Sequence, residues 1–379
     1  MSDLVLNSLG FLTSGFAALT WQQALMILVG GGLIYLGVAK DYEPLLLLPI
    51  GFGAILVNLP LTGLMDEHGL LRFFYETGVL TEVFPCLIFV GIGAMTDFSP
   101  LLQRPSILLL GAAGQFGIFL TLLLALALGF SELDAVAVGV IGACDGPTAI
   151  YVTSQYAPHL LGPVSVAAYS YMSLVPLLQP PIMRLLTTKR ERAIVMKPTR
   201  DKVSTRVRIL FPIVVTVITC LIAPKGAPLM GMIMLGNLMR ESGAVARLVG
   251  AAENEIPNVV TLLLGLCIGA TMQADQFLRT TTLLVLGLGM LAIILDTVMG
   301  LLFGKLMCLA SRGAINPLIG AAGISAYPMA ARVAQVQGQR YNKRNYLLMH
   351  AMGANTGGQI GSVMAAGIML SILQGLGLG

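Results

Sequence analysis

The sequence predicts an all-α integral membrane protein of two inverted repeats, about five transmembrane helices each, with re-entrant hairpins and broken helices. Three observations carry that expectation. Of 379 residues, 56% are hydrophobic and 11% charged, where soluble domains carry about a quarter charged residues. Ser106 to Phe130 and Leu160 to Met183 hold no charged residue, and each exceeds the roughly 20 residues a helix needs to cross the hydrocarbon core. Finally, Gly91-Ile-Gly-Ala-Met-Thr-Asp97-Phe recurs as Cys267-Ile-Gly-Ala-Thr-Met-Gln-Ala-Asp275-Gln-Phe, and Gly142-Ala-Cys-Asp145-Gly-Pro147 recurs in spacing as Gly323-Ile-Ser325-Ala-Tyr-Pro328, with the proline in register. Two echoes in the same order favour a duplicated unit.

The elements follow from apolar runs punctuated by Gly, Pro and charge. Residues 1–20 form an N-terminal segment, with an interfacial helix expected at 5–18 because the stretch is too short and mixed to span. The first repeat, 21–183, holds spans at Trp21 to Ala39, Pro44 to Leu59, Ser106 to Phe130 and Leu160 to Met183, a re-entrant candidate at Phe84 to Leu102, and a broken span at Leu133 to Tyr156. A basic linker, 184–208, separates it from the second repeat, 209–379. There the same series reads Ile209 to Ala223, Pro228 to Met239, a re-entrant candidate at Val259 to Leu278, Thr281 to Phe303, a broken span at Pro317 to Val336, and Asn345 to Leu373. Five crossings per repeat make the halves inverted, an arrangement that sets a substrate site at the midplane between broken helices. An elevator-like core moving against a scaffold of each repeat's first helices fits that plan.

Cytoplasmic loops carry excess Lys and Arg. Arg184 to Arg208 holds nine basic and two acidic residues, so the linker is assigned to the cytoplasm. Alternation from there puts sixteen basic residues inside and five outside (Arg72, Arg104, Lys225, Lys305 and Arg312), with both termini out. The five cysteines stand singly in apolar runs and the three histidines are scattered, which favours neither disulfides nor a zinc site. The 44 glycines suit close helix approach and broken helices. No charged leader with a small-residue cleavage site opens the sequence, so the first span is expected to direct insertion.

Ionisable groups at bilayer depth are functional hypotheses by default. Asp145, in Cys-Asp-Gly-Pro-Thr, offers a carboxylate beside backbone carbonyls freed by Gly and Pro, a donor set for a small alkali cation; it equally suits a cap on the half-helix starting at Pro147. Arg332, in the matching element of the second half, reads as an anion contact or as a structural partner of Asp145. Asn316, Gly320 and Ser325 share one face if their segment is α-helical, as a ligand ladder or as interhelical glue. Tyr171 reads as a proton donor, an ion ligand or a packing phenol, and Asn355 as an amide oxygen among glycines. Asp296, mid-span, reads as structural, paired with Arg332 or Arg240 or set at a subunit contact. Glu241 beside Arg240 reads as a solvated pair, and Asp97 and Asp275 as hairpin caps.

Pro44-Leu-Leu-Leu-Leu-Pro-Ile-Gly-Phe-Gly, Gly93-Ala-Met-Thr-Asp-Phe, Asp145-Gly-Pro-Thr-Ala-Ile-Tyr, Ala168-Tyr-Ser-Tyr-Met-Ser-Leu-Val-Pro, Gly236-Asn-Leu-Met-Arg-Glu-Ser-Gly, Asn316-Pro-Leu-Ile-Gly and Pro328-Met-Ala-Ala-Arg332 together resemble the β subunits of sodium-ion-translocating, biotin-dependent decarboxylases. The likeness runs from Trp21 to the last helix. It implies a multi-pass subunit of the bacterial cytoplasmic (inner) membrane that decarboxylates carboxybiotin, exports sodium ions and consumes a proton. Biotin would ride on a partner carrier, with a carboxyltransferase α subunit and a small membrane-anchor subunit completing the complex. Lipid and a homo-oligomeric contact, but no nucleic acid, are the other expected partners. The resemblance implicates Asp145 and Asn355 as sodium ligands, and Tyr171, Asn316, Gly320, Ser325 and Arg332 in ion binding or proton delivery; Arg332 and Arg240 suit the carboxylate of carboxybiotin. The stretch from Asn355 to Ser362, and the lack of a long insertion after Pro60, look more like partners of glutaconyl-CoA or methylmalonyl-CoA decarboxylases than of oxaloacetate decarboxylases. A free-standing sodium-coupled transporter of a small organic anion is the alternative; a bare membrane anchor leaves Asp145, Arg332 and Asn355 unexplained.

Overall fold

The computed structural model describes residues 14–40, 43–197 and 203–377. These are helical throughout, with no strand among them. Fourteen helices organise the chain: α1 Trp21–Lys40, α2 Pro44–Asn58, α3 Val83–Met95, α4 Leu108–Ala113, α5 Phe116–Ala127, α6 Glu132–Gly139, α7 Gly146–Tyr156, α8 Leu161–Leu186, α9 Thr205–Ile222, α10 Ala227–Ser242, α11 Glu255–Ala270, α12 Thr280–Ala310, α13 Met329–Tyr341 and α14 Leu348–Gly375. Most of the interfacial segment expected at 5–18 lies outside the described residues; of it, 14–18 are helical.

Among the described residues, six helical stretches are long and apolar enough to cross a membrane, and eight if each bent pair counts as one. The ten crossings expected from the sequence leave out two of these eight, read there as re-entrant, and add the two broken spans together with α2 and α10. At 15 and 16 residues and about 1.5 Å per residue, these fall short of a core about 30 Å thick. The re-entrant candidates also change character. Each is the second part of a longer unit: α3 follows Leu70–Val79 across a 58° bend, and α11 follows Ala246–Glu253 to make a 25-residue span. Their predicted second arms are one-turn helices, Ser99–Gln103 and Ala274–Phe277.

The segments read as broken spans are the ones that turn back. His159 Nε2 meets Asp134 Oδ1 at 3.1 Å, so α6 starts where α7 ends. In the second half, Asn316 donates to the carbonyls of Arg192 and Ile194, and Asn342 to that of Ala193, so both ends of 316–342 rest on the linker. Each broken element is a hairpin that leaves and returns on one face, the first opposite the linker and the second beside it.

Face assignments shift accordingly. Arg104 Nη2 donates to Lys197 O at 3.1 Å and Lys305 Nζ to Leu186 O at 3.1 Å, which brings both to the linker face together with Arg312, four residues before Asn316. Arg279 moves the other way, because α12 is 31 residues long and its far end carries Lys305. The predicted split of 16 to 5 becomes 18 to 3, a stronger bias toward a cytoplasmic linker.

Helix crossings without side chains tie the early helices together. A methyl group at Gly93 in α3 would fall on the carbonyl oxygen of Ile233 in α10, and one at Gly236 in α10 on that of Val90 in α3. Gly53 in α2 and Gly269 in α11 meet Leu266 O and Ile50 O in the same reciprocal way. Small residues at such crossings let backbones close, which matters where lipid supplies no hydrophobic drive between helices. Gly236→Ala should lower thermal stability in detergent by about 1–3 kcal/mol, while Gly231→Ala, with nothing within 4 Å in the same helix, should stay within about 0.5 kcal/mol.

Candidate functional site

The tips of the two hairpins line one cavity. The first is Cys144-Asp145: a 3-10 turn over Val140–Ala143 ends at Cys144 with φ 53°, Asp145 is extended, and Pro147 starts α7. Its backbone carbonyl takes the Ala149 amide at 3.0 Å, and its carboxylate Oδ2 takes the hydroxyl of Thr148 at 2.6 Å. Asp145 occupies the N-cap position but its side chain makes no capping hydrogen bond, and the carboxylate, 7% exposed, lines a cavity of about 590 Å³. The ring of Tyr169 lies where a side chain on Gly146 would be, so only glycine fits beside this carboxylate.

The second tip is residues 324–328. The half-helix before it, Pro317–Gly323, is 3-10 and not α, because Pro317 and the glycines favour the tighter turn and Gly320 must seat against Gly300 of α12. At three residues per turn and about 2 Å per residue, the predicted one-face ladder dissolves. Asn316 ends about 14 Å from the tip by that rise, with Oδ1 accepting from Leu318 N and Nδ2 bound to the linker carbonyls. Gly320 is a packing glycine. Ser325 alone of the three lines the cavity, its hydroxyl donating to Gly358 O at 2.9 Å.

Side chains from neighbouring helices lace this tip. Asn355 Nδ2 donates to Ile324 O at 2.6 Å, Gln115 Nε2 to Gly323 O at 3.1 Å, and Gln179 Nε2 to Ala321 O at 2.7 Å. The Asn355 amide oxygen is left buried with no hydrogen-bond partner, an acceptor one helix turn from Gly358.

Arg332 lines the same cavity from α13 and makes no ion pair among the described residues, neither with Asp145 nor with Asp296. Arg240 is outside the lining: its Nη1 donates to Met95 O at 2.9 Å, at the end of α3, and Met95 is a wall residue. Glu241 pairs with Arg240 at 3.9 Å as expected and with Arg208 at 3.0 Å, but its side chain is 7% exposed, so the pair is a buried clamp to α9 rather than a solvated one. Tyr171 points away, donating to Leu286 O of α12 at 2.7 Å. Two residues along a helix amount to about 200°, which is why Tyr169 and not Tyr171 faces the cavity. Sequence reasoning missed Tyr169, Tyr327, Gln359 and Thr261, all in the lining; for Tyr169 the available signal was its i, i+3 pairing with Met172 on one helix face.

Asp296 has neither of its expected arginine partners. It is fully buried, one oxygen accepting the Gly117 amide at the start of α5 and the other without a partner. Gly117 and Gly142 leave the space its carboxyl fills. Gln115 donates to Gly323 O at the end of the second half-helix, and the Asp296 carboxyl lies against Gly142 in the first hairpin.

A family model described as Na+-transporting oxaloacetate decarboxylase beta subunit matches residues 22–373. The glutaconyl-CoA decarboxylase subunit beta of Acidaminococcus fermentans is 52% identical over 96% of this chain and 96% of its own length. The methylmalonyl-CoA decarboxylase subunit beta of Veillonella parvula is 52% identical over 95% and 96%. The oxaloacetate decarboxylase beta chain of Klebsiella pneumoniae is 46% identical over 92% and 94%.

Asp296→Leu should destabilise the protein by about 1–3 kcal/mol, because it leaves the Gly117 amide buried without an acceptor. Asp296→Asn, which keeps an acceptor of the same shape, should cost about 1 kcal/mol or less; unfolding of the two variants in detergent checks the difference.

Proposed function

Because the chain belongs to the β-subunit family of Na+-transporting decarboxylases, we propose that it decarboxylates carboxybiotin delivered by a partner carrier and couples this to the export of sodium ions. One observation carries the reading: two hairpin tips line one cavity holding Asp145, Ser325 and Arg332, with walls that end at Met95 and Met349 on the strongly basic face.

Sodium, as cargo, takes hard oxygen ligands, and the chain offers the Asp145 carboxylate, the Ser325 hydroxyl and the Asn355 amide oxygen at or beside the two tips. Arg332, free of any ion pair among the described residues, receives the carboxylate of carboxybiotin, with Arg240 at the rim next to Met95. In the reaction the N–C bond breaks, its electron pair stays on the biotin nitrogen, that nitrogen takes up a proton, and CO2 leaves. A proton reaching Asp145 weakens its hold on sodium and helps discharge the ion. Tyr171, Asn316 and Gly320 act from outside the cavity by holding α8 on α12, the linker on the second hairpin, and that hairpin on α12.

The halves 21–183 and 209–379 are read as inverted repeats. The cavity lies between α2, α3 and α11 on one side and α7, α8, α13 and α14 on the other, the division an elevator-like core and scaffold require. The carrier, carboxyltransferase and anchor subunits remain the proposed partners. Alignment over 362 residues with the glutaconyl-CoA relative, against 409 with the Klebsiella one for a smaller share of this chain, supports an acyl-CoA as the substrate of the complex.

The test is the complex reconstituted in liposomes. Wild type should decarboxylate carboxybiotin only with sodium present and accumulate the ion, and Asp145→Ala should lose both activities by at least 100-fold, the scale for removing a group acting at the reacting centre. Sodium movement with neither carboxybiotin nor partner subunits would instead identify a free-standing secondary transporter.

A further inference from the structure

A second cavity, of about 420 Å³, opens on the linker face. Its walls are the one-turn helix Ser99–Gln103, residues 195–196 of the linker and the chain entering α14. Arg344, Tyr346, His350 and Gln103 supply its polar lining, Pro100, Val195 and Met196 an apolar side, and no Asp or Glu among the described residues lines it. Arg104 closes the far edge by its bond to Lys197 O at 3.1 Å. Met349 lines this cavity and the central one alike. It is 56% exposed, so little packing fixes it, and methionine is the most adaptable of the large apolar side chains.

A cationic recess beside an internal site concentrates anions at its mouth, and a guanidinium receives a carboxylate as a two-pronged donor. An apolar side opposite the cations suits a ligand that is anionic at one end and ring-like at the other. We propose that this recess is the access vestibule for the carboxylated ring of biotin: Arg344 and His350 receive its carboxylate, and the side chain of Met349 swings aside to admit it to Arg332. The proposal rests on the carboxybiotin reading and adds the route of access to it.

Free carboxybiotin, without carrier protein, is the probe, used with the intact complex. Arg344→Gln should raise its KM about tenfold, the size of a lost charge-assisted hydrogen bond, with a weaker dependence on salt, and His350→Gln about threefold, the size of a lost neutral hydrogen bond, with the loss in both falling on KM more than kcat. Met349→Cys alkylated with a bulky maleimide should stop turnover of free carboxybiotin under conditions that leave treated wild type active, while equilibrium binding of radioactive sodium persists. An unchanged KM in both polar variants, or full turnover by the alkylated protein, would overturn the vestibule and leave the decarboxylase reading intact. Wild type that turns over no carboxybiotin would overturn the reading beneath it.

Discussion

The structure depends on one constraint: a helix that breaks inside a membrane frees backbone groups that no water reaches, and each must find a partner. The second tip meets it by lacing. Asn355, Gln115 and Gln179 donate to the carbonyls of Ile324, Gly323 and Ala321, and Ser325 returns a hydrogen bond to Gly358. The first tip meets it locally, with the Cys144 amide donating to Ile141 O and the Ala149 amide to Asp145 O. The polar residues that make a site possible are thus largely the ones that make the break tolerable, and a ligand role and a structural role are not alternatives for Ser325 or Asn355.

Glycine sets how closely the rest can approach. The reciprocal crossings of α2 with α11 and of α3 with α10 put backbone on backbone, and the same device seats Gly320 on Gly300 and the Asp296 carboxyl between Gly117 and Gly142. Such contacts tolerate few rotamers and little slippage, so the walls around the cavity are defined by main chain more than by side-chain choice.

Much of this was legible in the sequence, and the illegible parts share a cause. Apolar runs fixed the long helices, and the Gly-Pro echoes located both breaks within a residue or two, because backbone chemistry is written locally. Whether a broken segment crosses or turns back is decided by its two ends meeting other parts of the chain, His159 with Asp134 and Asn342 with the linker, which no local pattern encodes. The same limit exchanged Tyr171 for Tyr169 at the cavity, put Asn316 at the wrong end of a 3-10 helix, and sent Arg104 to the wrong face. Asp145, Ser325 and Arg332 stand out in the sequence because their neighbours break helices, and all three line the cavity; Tyr327 and Gln359 lie in stretches the sequence also marks, but nothing local tells which of their residues face inward, and Thr261 lies in a plain apolar run.

The unequal anchoring of the two tips makes them mechanically different. One is a fixed jaw, tied by side chains from the joint between α4 and α5, from α8 and from α14. The other, carrying the carboxylate, is ordered by a hydroxyl of its own half-helix and by an aromatic ring lying on Gly146. Anything held between them is gripped by one stiff and one compliant surface, so the work of tightening or releasing the grip is done on the side that bears the charge.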